Sequence, residues 1–124
     1  MRSLNVMGQR VRTGDIMGLT VRLYMLGNKL IDQVLIREGL RRHAGPGRIN
    51  QVLQSRASNP YLAQQGFSTG FAECIYINRS QRNQISPGPV ADAVEAVIAA
   101  VFFDSSEDMQ VVEKIMTALG ICWP

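Results

Sequence analysis

Residues 89–104 read PVADAVEAVIAAVFFD, an apolar run with two internal charges, Asp92 and Glu95. Because these residues are three apart, their carboxylates share one face of a helix, one turn apart. The helix is otherwise apolar on all sides, which predicts the buried centre of an all-helical domain. A buried carboxylate needs a metal, a cation or strong hydrogen-bond donors, so some other group must face this pair.

The composition is that of one ordinary globular domain. The 124 residues are 46% hydrophobic and 19% charged, which is typical of neither a disordered chain nor a membrane protein. Cys74 and Cys122 match no metal-ligand spacing, so we expect free, buried thiols in a reducing compartment. No signal-peptide pattern opens the chain. We therefore expect an intracellular protein, cytoplasmic or mitochondrial, without a membrane partner.

The charge is unevenly distributed. Residues 1–56 hold ten Lys and Arg against three acids, a balance of +7, whereas residues 57–124 hold three against seven, a balance of −4. A basic half can meet phosphates. It can equally pair with the acidic half or with the acids of a partner, so charge alone does not choose between nucleic acid and protein.

Hydrophobic periodicity predicts a long helix over residues 18–39, with Gly39 as its stop. Its apolar stripe consists of Leu19, Leu23, Leu26, Leu30 and Val34. Residues 1–17 are expected to be an N-terminal arm, and residues 18–124 the domain itself.

Shorter helices are predicted in the rest of the domain. One covers 48–57, the next begins at the Ser58 cap and ends at Gly66, and the last begins at 105–108 and ends at Gly120. The segment 69–78 is compatible with a helix or a strand, and 78–88 is predicted to be a loop.

Three segments, in this order along the chain, resemble conserved segments of ribonuclease III domains. VADAVEAVIAAVFFDSS (90–106) is similar to the second conserved helix of that family, and RLYMLGNKLI (22–31) to its first signature. SRASNPYLAQQG (55–66) resembles the segment between them. The resemblance covers about residues 18–120 and implies an all-α, ribonuclease III-like domain that forms a homodimer.

The resemblance implies a site at which four carboxylates hold magnesium, which activates water to cleave double-stranded RNA. Asp92 and Glu95 match the two acids of the second helix, but Tyr24 and Asn28 stand where the first signature has its two acids. A phenol and an amide supply no charge at neutral pH. We therefore expect no metal and no cofactor, magnesium being required only if nuclease activity survives.

The substitutions predict a hydrogen-bond network in place of the metal. Tyr24 and Asn28 are four residues apart on one helical face, from which they can donate to Asp92 and Glu95. Lys29 lies about 100° around the helix from Asn28, so its ammonium reaches the acids only through its flexible stem.

Asp32 lies one turn beyond Asn28 on the same helix. It can be a displaced carboxylate ligand or a solvated helix acid. We expect a solvated acid, because one helical turn is a displacement of about 5.4 Å.

Two further groups follow from the resemblance. It places the basic loop on the RNA-facing side, so Arg41, Arg42, His43 and Arg48 are candidate RNA-binding residues with sequence-independent, salt-sensitive contacts. The alternative is an ordinary basic loop with a surface histidine. Met25 falls where the family has an aromatic side chain that inserts into the partner subunit, so it is a candidate dimer contact; the alternative is a core residue.

Three functions are compatible with these residues. We expect a catalytically degenerate ribonuclease III-like domain that acts as a dimeric scaffold, alone or with a related domain, or as a duplex-RNA-binding module. The first alternative is a magnesium-dependent double-stranded-RNA endonuclease, alone or with an intact partner. The second is a fold recruited as a metal-free small-molecule enzyme, with Tyr24, Asn28, Asp92 and Glu95 lining a pocket.

Overall fold

The computed structural model describes residues 3–6, 9–12, 16–74 and 87–124, with side chains described over 22–72 and 88–124. Helices make up most of these residues, which confirms the predicted all-α class. They are α1 (Ile16–Arg41), α2 (Pro46–Arg56), α3 (Asn59–Ser68), α4 (Pro87–Asp104) and α5 (Met109–Ala118), with a short 3₁₀ helix (Phe71–Cys74) after α3. None of the described helices is both long and apolar enough to cross a membrane.

A small antiparallel hairpin precedes α1. Its strands are β1 (Ser3–Val6) and β2 (Gln9–Arg12), with Ser3 paired opposite Arg12. Strand β1 lies beside α4. The sequence predicts only an arm here, because each strand has four residues, the lower limit at which alternation of apolar and polar residues is detectable.

Helix α4 is the centre of the core, as its apolar sequence predicts. It packs against α1, α3 and α5, and no residue from 90 to 103 is exposed. The largest fully buried side chains around it come from α1, α2, α3, α4, α5 and the C-terminal segment. They include Ile31, Leu35, Val52, Leu62, Ile98, Val112, Met116 and Ile121.

Two glycines bring neighbouring helices into close contact with α4. A Cβ at Gly27 of α1 would overlap the backbone carbonyl of Glu95, and a Cβ at Gly66 of α3 would lie 2.6 Å from Cγ1 of Val90. Since a larger residue at either position would push the helices apart, these glycines fix the spacing of α1 and α3 against α4.

The predicted stop of α1 at Gly39 is wrong, because the helix continues to Arg41. Gly39 is buried, and a Cβ there would lie 2.7 Å from Cγ1 of Ile49 and 2.9 Å from Cζ3 of Trp123. The glycine therefore provides a close contact for α2 and the C-terminal segment. A stop and a close contact have the same signature in the sequence, namely one glycine after an apolar stripe.

His43 ends α1 instead. Its φ is +57°, in the left-handed region. The His43 N–H donates to the Leu40 carbonyl at 3.1 Å, and the Ala44 N–H donates to the Gly39 carbonyl at 2.9 Å. These two bonds form a Schellman motif, so the backbone of His43 caps the helix.

Other predicted boundaries agree with the structure within a few residues. The Ser58 Oγ accepts a hydrogen bond from the Tyr61 N–H at 3.4 Å and caps α3. Gly120, with φ +74°, follows the end of α5. Residues 71–74 of the ambiguous segment form the 3₁₀ helix, whereas residues 75–86, with most of the predicted loop, lie outside the described part.

Candidate functional site

The candidate site lies where α1 crosses α4. The contact at Gly27 brings the backbone of α1 onto Glu95. Asn28, the next residue, is half-buried beside that side chain. The crossing therefore brings together Asn28 of the segment RLYMLGNKLI and Glu95 of the segment VADAVEAVIAAVFFDSS.

Glu95 is the buried acid of this crossing. It is 1% exposed, and its Oε2 has no hydrogen-bond partner among the described residues. Burial raises the pKa of Glu95 to about 7; an interaction with the Asn28 amide opposes this shift, and the charges of Asp92 and Asp32 add to it. Near neutral pH the carboxyl therefore exchanges between its protonated and ionised forms.

The predicted hydrogen-bond network is incomplete at this atom. Asn28 favours the ionised form of Glu95 but leaves Oε2 without a partner. Tyr24 is half-buried and packs against the hydrophobic core, and within the described residues it donates no hydrogen bond to Oε2 of Glu95. A proton on the carboxyl is one way in which the buried charge is avoided.

Asp92 lies one turn before Glu95 on α4. It is half-buried, whereas Glu95 is buried. The sequence therefore correctly placed the two carboxylates on one helical face, but burial differs between them because one edge of that face reaches solvent. The charge of Asp92 raises the pKa of Glu95.

Asp32 is a third acid near the crossing. The sequence instead predicts a solvated helix acid at this position. It is half-buried rather than solvated. Burial raises the pKa of Asp32 and the charge of Lys29 lowers it, while the charge of Asp32 acts in turn on Glu95. Its spacing of one turn from Asn28 was the signal that placed it near the site. Lys29 is exposed. Its positive charge lowers the pKa of Asp32, but it does not contribute to the pKa shift of Glu95.

The donor set does not fit a hydrated magnesium ion. Tyr24 and Asn28 are neutral donors at positions where the resembling family supplies charge, and Glu95 binds a proton near neutral pH. Among the residues whose side chains are described, no three His, Cys, Asp or Glu side chains form a group that could hold a metal. Magnesium depends on carboxylate charge to offset the loss of its hydration shell. A metal-free site stays a prediction.

The basic loop lies away from the crossing. Arg41 is 13 residues beyond Asn28 on α1, a distance of about 20 Å along the helix axis. Arg41 donates to Glu38 Oε2 at 2.9 Å and to Glu113 Oε1 at 3.4 Å, and Arg42 Nε donates to Glu38 Oε1 at 2.9 Å. These carboxylates offset part of the positive charge of the candidate RNA-binding group.

Two arginine side chains of the same region lie over the ring of Trp123. The Arg42 and Arg48 guanidiniums each lie 5.8 Å from the centroid of the Trp123 ring, a distance typical of cation–π contacts. With His43 acting as a backbone cap, all four candidate RNA-binding residues have structural contacts of their own. Their RNA-binding role stays a prediction.

Met25 lies on the solvent face of α1. Its side chain is 64% exposed. The alternative that Met25 is a core residue is therefore wrong, while its role as a dimer contact stays a prediction.

The described residues form at least two grooves. One, of about 390 Å³, runs along α3 and is lined by Asn59, Pro60, Ala63, Gln64 and Phe67. The other, of about 240 Å³, lies between α1 and α5. Neither includes Tyr24, so neither supplies the pocket that the small-molecule alternative requires. Cys122, which lines the second groove, is free as expected but exposed rather than buried.

Comparison with known protein families, curated proteins and solved structures finds no match for this chain. The resemblance to ribonuclease III domains therefore rests on the three sequence segments alone.

Proposed function

We propose that this protein is a catalytically degenerate ribonuclease III-like domain that acts as a protein scaffold and pairs with a second copy or a related domain through α1. The observation that carries this proposal is the state of Glu95. It is buried at 1% exposure beside an amide rather than an acid, with one oxygen unpartnered among the described residues. A site of this kind stabilises a proton better than a hydrated divalent ion.

The surface charges favour a protein partner over duplex RNA. Arg41 and Arg42 are paired with Glu38 and Glu113, and sequence-independent RNA binding depends on cations that are free to replace the counterions of phosphates. Met25 and Leu40 of α1 are 64% and 63% exposed. Burial of these two side chains against a protein partner is favourable, whereas the phosphates of RNA offer them no apolar surface.

The proposal is tested by incubating long duplex RNA with the purified protein and magnesium. We expect no cleavage above background, for the wild type and for the matched variant Asp92→Ala. Clean cleavage that requires magnesium and disappears in Asp92→Ala would restore the endonuclease alternative. Manganese serves as a second metal, because it accepts the same oxygen ligands.

A further inference from the structure

The acids at the crossing of α1 and α4 include a buried oxygen that has no donor. Glu95 is 1% exposed, and its Oε2 accepts no hydrogen bond among the described residues. The charges of Asp92 and Asp32 act on the same carboxyl, and the Asn28 amide interacts with it. A buried carboxylate oxygen without a donor is costly. We call Asn28, Asp32, Asp92 and Glu95 the crossing site.

The crossing site reaches solvent along one edge. Tyr24, Asn28 and Asp32 follow one another at intervals of four residues along one face of α1, and all three are half-buried. Asp92 of α4 is half-buried as well, whereas Glu95 is buried. A group that enters between the half-buried side chains therefore meets the carboxylates of Asp32 and Asp92 before it reaches Glu95.

The charges of the crossing site favour an organic cation over a hydrated divalent ion. Among the residues whose side chains are described, no three acids, histidines or cysteines lie close enough together to hold a metal ion. Magnesium needs such direct contacts to offset the loss of its hydration shell. An organic cation can bridge carboxylates that lie farther apart, because its N–H donors are spread over a larger group.

A guanidinium group matches the crossing site better than an ammonium does. It is planar, it can donate to two carboxylates at once, and it is more weakly hydrated than an ammonium. One N–H group can donate to Oε2 of Glu95 while others donate to Asp32 or Asp92. Its face can also stack on an aromatic ring, and Tyr24 lies on the same face of α1 as Asp32.

We propose that the crossing site binds a guanidinium group, with Glu95 as the buried acceptor and Asp32 and Asp92 as acceptors at the solvent edge. The ligand supplies the donor that Oε2 lacks, and its positive charge offsets the charge of the acids. This inference rests on the metal-free site of the proposed function and assigns a ligand class to that site. The group belongs either to a small molecule or to an arginine side chain of a partner protein.

Titration with methylguanidinium at pH 8, where Glu95 is ionised, tests the inference by two-dimensional NMR of the backbone amides. We expect saturable shifts at residues 27–29 and 95, with a dissociation constant of about 1 mM, which is within reach of so small a ligand. Tetramethylammonium is the matched control, because it carries the same charge without an N–H donor. It should bind at least about tenfold more weakly. Absence of saturable shifts with methylguanidinium, or equal binding of the two cations, would overturn the inference.

Variants of the acids locate the ligand. Glu95→Gln keeps the shape of the side chain and removes its charge, so it should weaken methylguanidinium binding at least about tenfold. Asp32→Asn should weaken it about threefold and serves as the second variant if Glu95→Gln fails to fold. Asp104→Asn, at an exposed acid at the end of α4, is the control and should leave the dissociation constant unchanged. Wild-type affinity in both Glu95→Gln and Asp32→Asn would place the ligand elsewhere and overturn the inference.

Two further ligands complete the experiment. A short peptide with blocked ends and one arginine distinguishes the sources of the guanidinium: binding tighter than that of methylguanidinium indicates a partner protein, and equal or weaker binding indicates a small molecule. Magnesium separates the inference from the proposed function. Saturable magnesium shifts at the same amides would contradict the metal-free site and therefore both proposals, whereas no response to either methylguanidinium or magnesium would overturn the guanidinium ligand alone.

Discussion

Gly27 of α1 and Glu95 of α4 are in direct backbone contact, so close that a Cβ on residue 27 would overlap the carbonyl of Glu95. This contact sets the distance between the two helices that carry the candidate site. It explains why a glycine stands in the middle of a long helix, where it otherwise lowers stability.

Gly27→Ala should therefore destabilise the fold. The added methyl group meets backbone rather than a movable side chain, so α1 and α4 must separate; we expect a loss of about 3 kcal/mol in the free energy of unfolding. Urea denaturation measures it. Gly47→Ala is the matched control, because a Cβ at this helical position meets nothing within 4 Å. This substitution should raise the free energy of unfolding by up to about 1 kcal/mol. Equal effects of the two variants would contradict the close contact.

Stability should fall with rising pH because of Glu95. Burial raises its pKa to about 7, above the value of the unfolded chain, so the folded state holds the proton more tightly. The stability that this group contributes is present below the unfolded pKa and is lost as pH rises through the folded pKa.

Glu95→Gln isolates this contribution, since the amide keeps the shape and cannot ionise. We expect the variant to equal the wild type near pH 4.5 and to exceed it by about 3 kcal/mol at pH 8 in urea denaturation. Asp104→Asn, at an exposed acid of the same helix, is the control for the loss of one carboxylate from α4. Parallel pH profiles for Glu95→Gln and the wild type would show that Glu95 ionises normally.

His43→Gly should stabilise the protein. His43 holds φ at +57°, a conformation that costs a residue with a Cβ about 1 kcal/mol and a glycine almost nothing. After the extra entropy of glycine in the unfolded chain is subtracted, a gain of about 0.5 kcal/mol is expected in thermal or urea unfolding. His43→Ala keeps the Cβ and should change stability less. A large loss of stability in His43→Gly would mean that the imidazole itself makes an important contact.

Duplex RNA should bind weakly at physiological salt. Because Arg41 and Arg42 are paired with Glu38 and Glu113, we expect no saturable binding of a short duplex below about 10 µM, within the range of non-specific contacts. Filter binding at two salt concentrations measures this affinity. The triple variant Arg41→Ala, Arg42→Ala, Arg48→Ala should behave like the wild type. Tight binding that the triple variant loses would instead support the RNA-binding module.

The sequence predicted the parts of the fold that depend on local pattern. The apolar run around Asp92 gave the buried helix α4, and the Ser58 cap and the Gly120 stop gave helix ends, because these signals depend on residues a few positions apart. The approach of Asn28 to Glu95 followed from the family resemblance rather than from periodicity.

Features that depend on contacts between distant segments could not be predicted from local sequence patterns. The sequence predicts a stop at Gly39, because the packing of this glycine against Ile49 and Trp123 is not visible in the chain. The pairing of Arg41 with Glu113 joins residues 72 positions apart. The burial of Asp32 depends on the tertiary packing around α1, so its share in the site was also missed.

Calorimetric titration of magnesium and manganese into the purified protein shows whether the acids at the crossing of α1 and α4 bind a divalent ion. We expect no saturable heat across the micromolar-to-millimolar range in which protein sites hold these ions, and the same flat response for Asp92→Ala. Saturable binding of either ion that disappears in Asp92→Ala would mean that these acids hold a metal and that the site is not degenerate.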